Sequence, residues 1–326
     1  MNKMFLFVLL SLSLNALSAD CLKTRASLDI GSGTTKLKVA KVNLCEKKII
    51  EMLFERDVQV SYKKDLGKNP DKFLSDKIME DGVKVLSLLK DQALSYGAEE
   101  IIAVATAGFR EARNAQVMVD KIQKEISLSV RVISQQEEAQ IGFLAGLSLT
   151  KKSKNKVVVW DIGGGSMQIT ALDSESKMMS FEGELASISF KDFIIGQFRE
   201  LGVKSPNPFT AYEVVFSLAV ARNHATRYVP NEIKQKITEP GVEVIGIGGV
   251  HSSSLGDHFP QKTSYTYGEV NRILSDTYRL SDDQIFSKYK DSAISNLILV
   301  LGYMQALHIK SVTFGNVNLG EGLLIK

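Results

Sequence analysis

The stretch Val157–Thr170, VVVWDIGGGSMQIT, determines how the rest of the chain is interpreted. Its apolar residues Val157–Trp160 are typical of a buried strand, which runs into Asp161, three glycines and Ser166 before a hydrophobic strand resumes at Met167. A turn through glycines leaves backbone N–H groups open to an anion, because no Cβ blocks the approach. A carboxylate at the end of the strand can hold a cation, directly or through water. One copy of this pattern is explained equally well by a phosphate and metal site and by a tight hairpin.

The same pattern occurs a second time near the start of the chain. An apolar strand from Ala26 ends at Asp29, turns through Gly31 and Gly33, and leaves as an alternating strand after Thr35. Strands alternate with helical patterns in both halves, which is typical of α/β domains. Two similar halves of this kind would place their glycine turns opposite each other across a cleft. The repetition therefore favours phosphate binding over turn geometry alone.

The first residues are typical of a secretory signal peptide. Lys3 precedes the apolar run Met4–Leu14, and small residues follow up to Ala19. The apolar run is too short for a permanent bilayer span, so we expect cleavage near Ala19 and no stable membrane span in the mature protein. A lipid anchor on Cys21 is less favoured, because Asp20 stands where that signal needs a small neutral residue. We therefore predict a periplasmic or secreted protein.

Length and composition limit the remaining choices. The 326 residues are enough for two domains, and 44% hydrophobic with 24% charged residues indicates a globular chain. We predict a signal peptide over residues 1–19, a first domain over 20–149 and a second over 150–326, with the alternative that the C-terminal segment returns to the first. The net charge of +3 does not predict nucleic-acid binding. The four histidines show no metal-ligand spacing, and no dinucleotide fingerprint or Gly-x-x-x-x-Gly-Lys loop is present.

The chain has two cysteines, Cys21 and Cys45, and each lies 12 residues from Gly33. In a simple hairpin centred on that glycine the two positions face each other. An oxidising compartment outside the cytoplasm permits them to pair, so we predict a disulfide at the open end of the hairpin. The alternative is two unrelated free cysteines.

Secondary structure between the two hairpins is also predicted from local patterns. Glu100–Ala105 is expected to be a buried strand, and Ser61–Asp71 is expected to be a loop or flap. Ser134 is a predicted N-cap, with Glu137 three residues later completing a capping box.

Six motifs together resemble the exopolyphosphatase/guanosine pentaphosphate phosphatase family of the actin-like ATPase and sugar-kinase superfamily. The resemblance covers nearly the whole mature chain and implies an α/β fold with two actin-like (ribonuclease H-like) domains and a cleft between them. The motifs are Asp29–Leu37, Ala105–Arg110, Ile133–Ala139, Asp161–Ser166, Gly246–Gly249 and Leu319–Leu324.

The resemblance implies removal of a terminal phosphate from polyphosphate or guanosine pentaphosphate, with Mg²⁺. Glu138 matches the carboxylate proposed to activate water, although a helix-dipole or capping role is the alternative. Arg110 matches an arginine that pairs with phosphate, the alternative being a surface arginine at a helix start. Asp29 and Asp161 would hold the metal. The implied phosphate-binding residues are Gly31, Ser32, Gly33, Thr34, Gly163, Gly164, Gly165, Ser166, Gly248 and Gly249.

The sequence also departs from the family pattern. Gln168 stands where the family usually has glutamate, which predicts a weak metal ligand. Gly33 replaces an asparagine, Gly320 replaces an arginine, and Gln135 stands where glycine is preferred. One acid and one basic contact are therefore missing.

We predict an exported, Mg²⁺-dependent phosphohydrolase in which Glu138 activates water. The alternatives are a non-catalytic polyphosphate- or nucleotide-binding sensor and an ATP-dependent kinase. Export favours polyphosphate or a related small phosphoanhydride as the partner, because guanosine pentaphosphate and ATP are chiefly cytoplasmic. The family resemblance also makes a homodimer an open expectation.

Overall fold

The computed structural model describes residues 21–326. The predicted signal peptide, residues 1–19, lies outside this part of the chain. Two β-sheets organise the described residues, one in each half. The first has the order β3-β2-β1-β4-β5, in which β1 to β3 are antiparallel and β4 and β5 run parallel to β1. Its strands are β1 (Leu22–Ile30), β2 (Thr34–Asn43), β3 (Lys48–Gln59), β4 (Glu100–Ala105) and β5 (Val130–Val132).

The second sheet repeats the arrangement of the first. Its order is β10-β11-β9-β6-β7-β8, in which β6 to β8 are antiparallel and β9 runs parallel to β6. The pair β6–β7 therefore corresponds to β1–β2, and β9 corresponds to β4. Its strands are β6 (Val157–Ile162), β7 (Met167–Leu172), β8 (Met178–Gly183), β9 (Glu243–Ile247), β10 (Ser264–Thr266) and β11 (Ser311–Phe314).

Eleven α-helices are present in residues 21–326, and most of them cover the faces of the two sheets. A π-helical segment, Val250–Leu255, follows β9, and short 3-10 turns span Lys154–Lys156 and Gly256–His258. The helices are α1 (Tyr62–Leu66), α2 (Asp76–Ser95), α3 (Ala107–Glu111), α4 (Ala115–Ile126), α5 (Gln135–Leu147), α6 (Ser187–Phe198), α7 (Ala211–Tyr228), α8 (Asn231–Thr238), α9 (Tyr267–Thr277), α10 (Lys290–Ala306) and α11 (Leu319–Ile325).

Each sheet has its own hydrophobic core on one face. In the first half, Leu28 and Leu37 from the sheet pack with Leu86 of α2 and Met118 of α4. In the second half, the helix α10 is buried along most of its length, which explains why its sequence is apolar all round. None of the helices in residues 21–326 combines the length and apolar character needed to cross a bilayer.

Helices α5 and α11 fill the space between the two sheets. Phe143 of α5 packs with Val159 of the second sheet, whereas Ile141 of the same helix packs with Val104 of the first sheet and Leu323 of α11. The end of α11 lies on the first sheet, where Leu324 packs against Ala40. The helix α5, which we placed in a domain ending at residue 149, thus contacts both sheets. The predicted domain boundaries themselves stay a prediction.

Several local expectations need correction. The segment 61–71 is not only a loop, because its residues 62–66 form the helix α1. The helices α8 and α11 were not predicted from the sequence. The hydroxyl of Ser134 accepts a hydrogen bond from the N–H of Glu137 (3.0 Å), as predicted. The predicted capping box is wrong, because the Glu137 carboxylate instead pairs with Arg131 (2.8 Å) and with Lys326 (2.7 Å).

In the structure Cys21 and Cys45 form a disulfide with a Cα–Cα distance of 5.5 Å. It joins the start of β1 to the loop after β2, beside the pair formed by Leu22 and Asn43. The bond closes the end of the hairpin that is opposite the glycine turn.

Candidate active site

The two glycine turns contact each other between the sheets. A Cβ added to Gly165 of the second turn would overlap Ser32 Oγ of the first turn. This close approach favours glycine at that position, because a side chain there would crowd Ser32 and Ala107 of the first half. The predicted arrangement of facing turns is therefore present among the described residues.

Backbone hydrogen bonds to neighbouring helices set the orientation of the turns. Carbonyl groups of both turns accept hydrogen bonds from the first residues of a following helix, α1 or α6. Two such bonds run from Lys63 N to Ser32 O (2.9 Å) and from Ile188 N to Gly164 O (2.9 Å). In a planar trans peptide the next N–H points the opposite way. The N–H groups of Gly33 and Gly165 therefore point away from these helices and are available to an anion.

Three of the predicted phosphate-binding amides have other partners. The N–H of Gly31 donates to Thr34 O (3.1 Å), and that of Gly163 donates to Ser166 O (3.0 Å), so both close their own turns. The N–H of Gly248 donates to Val317 O (3.2 Å). These three N–H groups are therefore used within the fold, and the residues shape the site. Gly248 has φ +82°, and a Cβ there would overlap Asp161 Oδ1.

Asp29 and Asp161 occupy equivalent positions at the ends of β1 and β6. Asp29 is paired with Lys36 on β2, and Asp161 is paired with Gln168 on β7. Each partner lies seven residues after its aspartate and on the same face of its sheet. The duplicated hairpins therefore bring two carboxylates, one ammonium and one amide to the region between the sheets.

Glu138 lies in the first turn of α5 and is 8% exposed. Its Oε2 accepts a hydrogen bond from Arg110 Nη1 (2.8 Å), and its Oε1 accepts a longer one from Ser166 Oγ (3.3 Å). Arg110 Nη1 also donates to Ile133 O (3.1 Å), which fixes the guanidinium beside the carboxylate. In this structure Arg110 positions Glu138, and Ser166 links Glu138 to the second glycine turn.

Three carboxylates share this site and affect one another. Burial, with further contributions from the nearby Glu138 and Asp29, raises the pKa of Asp161 to about 7 against the opposing effect of Lys36. Burial also raises the pKa of Asp29, against the effect of Lys36. Burial raises the pKa of Glu138 despite the Arg110 guanidinium. Crowded carboxylates of this kind are stabilised in their charged form by an added cation.

The donor set fits a magnesium ion that shares its ligands with substrate. Mg²⁺ in proteins commonly uses one or two carboxylates, several waters and substrate phosphate oxygens. Asp29 and Asp161 can supply the carboxylates. No group of three or more His, Cys, Asp or Glu residues within 21–326 is arranged to hold a metal by itself.

Two buried polar side chains of the site have no partner among the described residues. Gln168 is 2% exposed and its Nε2 donates no hydrogen bond, and Ser32 is 5% exposed with an unpaired Oγ. Buried polar groups are normally hydrogen-bonded, so unpaired donors in this place are ready to bind an anion or ordered water. A glutamine at position 168 thus adds a donor where an acid would add a metal ligand.

The other departures from the family pattern have structural reasons. A Cβ on Gly320 would lie 3.0 Å from Lys38 Cδ, so the side chain of Lys38 occupies the space next to the missing arginine. Lys38 pairs with Glu321 (2.5 Å) and supplies a cation to α11 from the sheet. Gln135 Nε2 donates to Gly183 O (3.1 Å) and ties α5 to β8. Other contacts therefore partly replace those of the side chains that are missing from the family pattern.

Our sequence interpretation missed Lys36. The signal was present, because Lys36 follows Asp29 by the same seven residues that separate Gln168 from Asp161. Aligning the two repeats with each other, in addition to comparing each with a family motif, would have found it.

We expect the stability of the metal-free protein to depend on the ionisation of Asp161. Its pKa rises from 3.8 to about 7 on folding, so the folded state holds a proton that the unfolded state releases in this range. This contribution to the free energy of unfolding is present below pH 3.8 and is lost as the pH rises through about 7. Asp161→Asn keeps a neutral side chain and removes this titration, so the stability of the variant relative to wild type should rise as the pH increases from 3.8 to about 7. Urea unfolding in EDTA measures this, and parallel pH dependences would contradict it.

The sequence is similar to those of known proteins. The Ppx/GppA phosphatase family model matches residues 39–190, which include Arg110, Glu138 and Asp161. The chain is 32% identical over 154 residues to a bifunctional 3-dehydroquinate synthase/phosphatase of Fusobacterium nucleatum, a match that covers 45% of this chain and 22% of that protein. It is 26% identical over 167 residues to a guanosine-5'-triphosphate,3'-diphosphate pyrophosphatase of Pseudoalteromonas atlantica. This match covers 51% of this chain and 32% of that protein.

The fold is also similar to that of solved structures. An exopolyphosphatase from Cytophaga hutchinsonii superposes with a TM-score of 0.73 at 19% identity, covering 93% of this chain and 96% of that one. This confirms the predicted α/β fold class. The matched segments span less than two thirds of the length of both curated relatives. The family model covers just under half of the chain, and over residues 39–190 the chain is similar to the Ppx/GppA phosphatase family.

Proposed function

We propose that this protein hydrolyses a terminal phosphoanhydride bond, with polyphosphate as the substrate class. The observation that carries the proposal is the place of Glu138, a buried carboxylate held by Arg110 beside Ser166 of the second phosphate turn. The Ppx/GppA family match and the phosphatase and pyrophosphatase names of its relatives support the reaction type.

Glu138 acts as the general base in this proposal. A carboxylate has about four acceptor sites, so Oε1 can accept a bond from water in addition to the 3.3 Å bond from Ser166. The water oxygen attacks the terminal phosphorus as Glu138 takes its proton, and the bond from that phosphorus to the bridging oxygen breaks. A raised pKa favours proton acceptance near neutral pH, provided that the group is ionised before the reaction.

The glycine turns bind and orient the phosphate. The N–H groups of Gly33 and Gly165 and the hydroxyl of Ser32 can donate to its oxygens, which stabilises charge that develops during transfer. Asp29 and Asp161 would hold Mg²⁺, which when bound supplies positive charge to the phosphate oxygens.

Export is part of the proposal and favours polyphosphate over cytoplasmic nucleotides. The support is the N-terminal pattern up to Ala19 and the Cys21–Cys45 disulfide. N-terminal sequencing of the protein from fractionated cells tests it. A mature chain that begins at Asp20 or Cys21 outside the cytoplasm is expected, and an intact Met1 in the cytoplasm would contradict export.

Phosphate release tests the function directly. The purified protein is incubated with polyphosphate, guanosine pentaphosphate or ATP, with Mg²⁺ varied, and inorganic phosphate is measured. We expect release from polyphosphate that depends on Mg²⁺ and needs no phosphate acceptor. Consumption of ATP that requires an acceptor, with the phosphoryl group transferred to that acceptor and no inorganic phosphate released, would instead indicate a kinase.

Binding without turnover is the second candidate function. The observation that favours it is the neutral, buried Gln168 in place of an acid, which offers a donor to an anion and weakens the metal site. In this case the protein would bind polyphosphate that stays intact, and no inorganic phosphate would appear at any Mg²⁺ concentration.

A further inference from the structure

We propose that a cavity between helix α10 and the loop that precedes it binds a small aromatic amine, a molecule that joins an aromatic ring to a positively charged nitrogen. The cavity has a volume of about 290 Å³. None of the described residues that line it belongs to the glycine turns or to the group around Glu138. The inference therefore concerns a second site and does not depend on the proposed function.

The wall of the cavity is mainly apolar, and its few polar groups lie together with Asp257 on one side of the lining. The apolar lining residues are Leu280, Ile285, Ala293, Ile294 and Leu297. Sites for small molecules typically combine an apolar wall with a few polar groups that orient the ligand. An engineered apolar cavity of about 150 Å³ binds benzene, so the larger volume here suits a fused ring system.

Hydrogen bonds hold the loop in place over the cavity. The side-chain nitrogen of Asn207 donates to Asp282 Oδ1 (2.8 Å) and to the carbonyl oxygen of Lys290 (2.9 Å), which is the first residue of α10. Near the other side of the cavity, Ser287 Oγ donates to Asp257 Oδ2 (2.9 Å). Specific contacts of the loop with three other segments therefore shape the cavity.

Asp257 gives the rim of the cavity a negative charge. A carboxylate has about four acceptor sites, so Asp257 can accept a bond from a ligand in addition to the bond from Ser287. Burial lowers the pKa of the neighbouring His258 despite the effect of Asp257, so this imidazole is neutral near pH 7. Lys288 Nζ lies 5.5 Å from the centre of the Tyr289 ring, which is not part of the lining. The charge at the rim therefore favours a cation.

Phe286 supplies an aromatic surface at the mouth of the cavity. It belongs to the lining, yet its side chain is 99% exposed. An aromatic ligand in the mouth can stack on this ring, and an ammonium group is attracted to the face of the ring. A ligand with both an aromatic ring and a positively charged nitrogen is therefore complementary to Phe286 and Asp257 together.

Isothermal titration calorimetry of the purified protein with three indoles tests the proposal. Tryptamine is a cation, indole is neutral and indole-3-acetate is an anion, so the ring stays the same while the charge changes. We expect one tryptamine to bind per chain, about tenfold more tightly than indole-3-acetate, because the exposed Asp257 attracts the first and repels the second. Absence of saturable tryptamine binding, or equal affinities for the three compounds, would overturn the proposal.

Asp257→Asn tests the source of the charge preference. This variant should bind tryptamine about three- to fivefold more weakly and indole within about twofold of wild type, since an exposed ion pair contributes modestly. Asp276→Asn is the matched control, because Asp276 is exposed on α9 and is not part of the lining. The control should bind tryptamine like wild type. Equal losses in the two variants would overturn the role of Asp257.

Two further variants test the place of the ligand. Ala293→Leu enlarges a buried side chain of the cavity wall and should weaken binding of tryptamine and indole about tenfold or more. Phe286→Ala removes the ring at the mouth and should weaken tryptamine binding about threefold. Wild-type affinity for tryptamine in either variant would overturn the proposal. Circular dichroism shows whether each variant is folded, and if Ala293→Leu is not, the variants at Asp257 and Phe286 decide the outcome.

Discussion

Glu138→Gln should lower kcat for phosphate release by a factor of about 10²–10⁴, which is the usual contribution of a general base. Glutamine keeps the shape and can still accept the hydrogen bond from Arg110, but it cannot take a proton from water. Because Glu138 is almost fully buried, removal of its negative charge should not unfold the protein. Initial rates with polyphosphate at saturating Mg²⁺ measure the effect.

The neighbouring Glu137 provides the control. It lies on the same helix turn but pairs with Arg131 and Lys326 at the surface. Glu137→Gln should keep kcat within about twofold of wild type, since surface pairs contribute little. A Glu138→Gln protein with wild-type kcat would show that another group activates the water.

Gly322→Ala should lower the free energy of unfolding by about 1–3 kcal/mol, the typical cost of overpacking in a core. A Cβ on Gly322 would overlap the carbonyl oxygen of Ile141 and would lie 2.7 Å from its Cγ2. Both atoms belong to Ile141 of the helix α5, which also carries Glu138 and contacts both sheets. The substitution should therefore separate α11 from α5, which urea unfolding monitored by circular dichroism would detect.

Gly196→Ala is the matched control for this prediction. Gly196 is an exposed residue of α6, and a Cβ there meets no atom within 4 Å. Alanine should stabilise that helix by up to about 1 kcal/mol, because it restricts the unfolded chain more than glycine does. Equal effects of the two substitutions would contradict the close packing of α5 and α11.

The hairpins were predictable because their signal is local. Apolar strands, an aspartate and glycines specify both the strand ends and the turns at Gly33 and Gly165, and they specify the α/β fold through repetition. The N-cap at Ser134 was predictable for the same reason. The second hydrogen bond of the capping box, from the Ser134 backbone N–H to the Glu137 side chain, was predicted but does not form. Glu137 forms stronger, charged contacts with Arg131 and Lys326, and the latter lies far away in sequence.

The details of the site depended on contacts that no local pattern contains. The amide of Gly248 looked available for phosphate but donates to Val317, which the fold brings from near the C-terminus. Next to Gly320, where a cation is missing, the sheet supplies Lys38 of β2, which pairs with Glu321. Helix α11 was missed because seven residues with two glycines have little intrinsic helical tendency. Burial against α5 and the first sheet stabilises it instead.

The most direct test of the central proposal is hydrolysis of polyphosphate in ¹⁸O-labelled water with Mg²⁺, followed by mass spectrometry of the released phosphate. Attack by water held at Glu138 predicts one ¹⁸O atom in each inorganic phosphate released per turnover, with Glu138→Gln releasing almost none. Intact polyphosphate, or release of phosphate without ¹⁸O, would contradict the assignment of this site as a phosphoanhydride hydrolase.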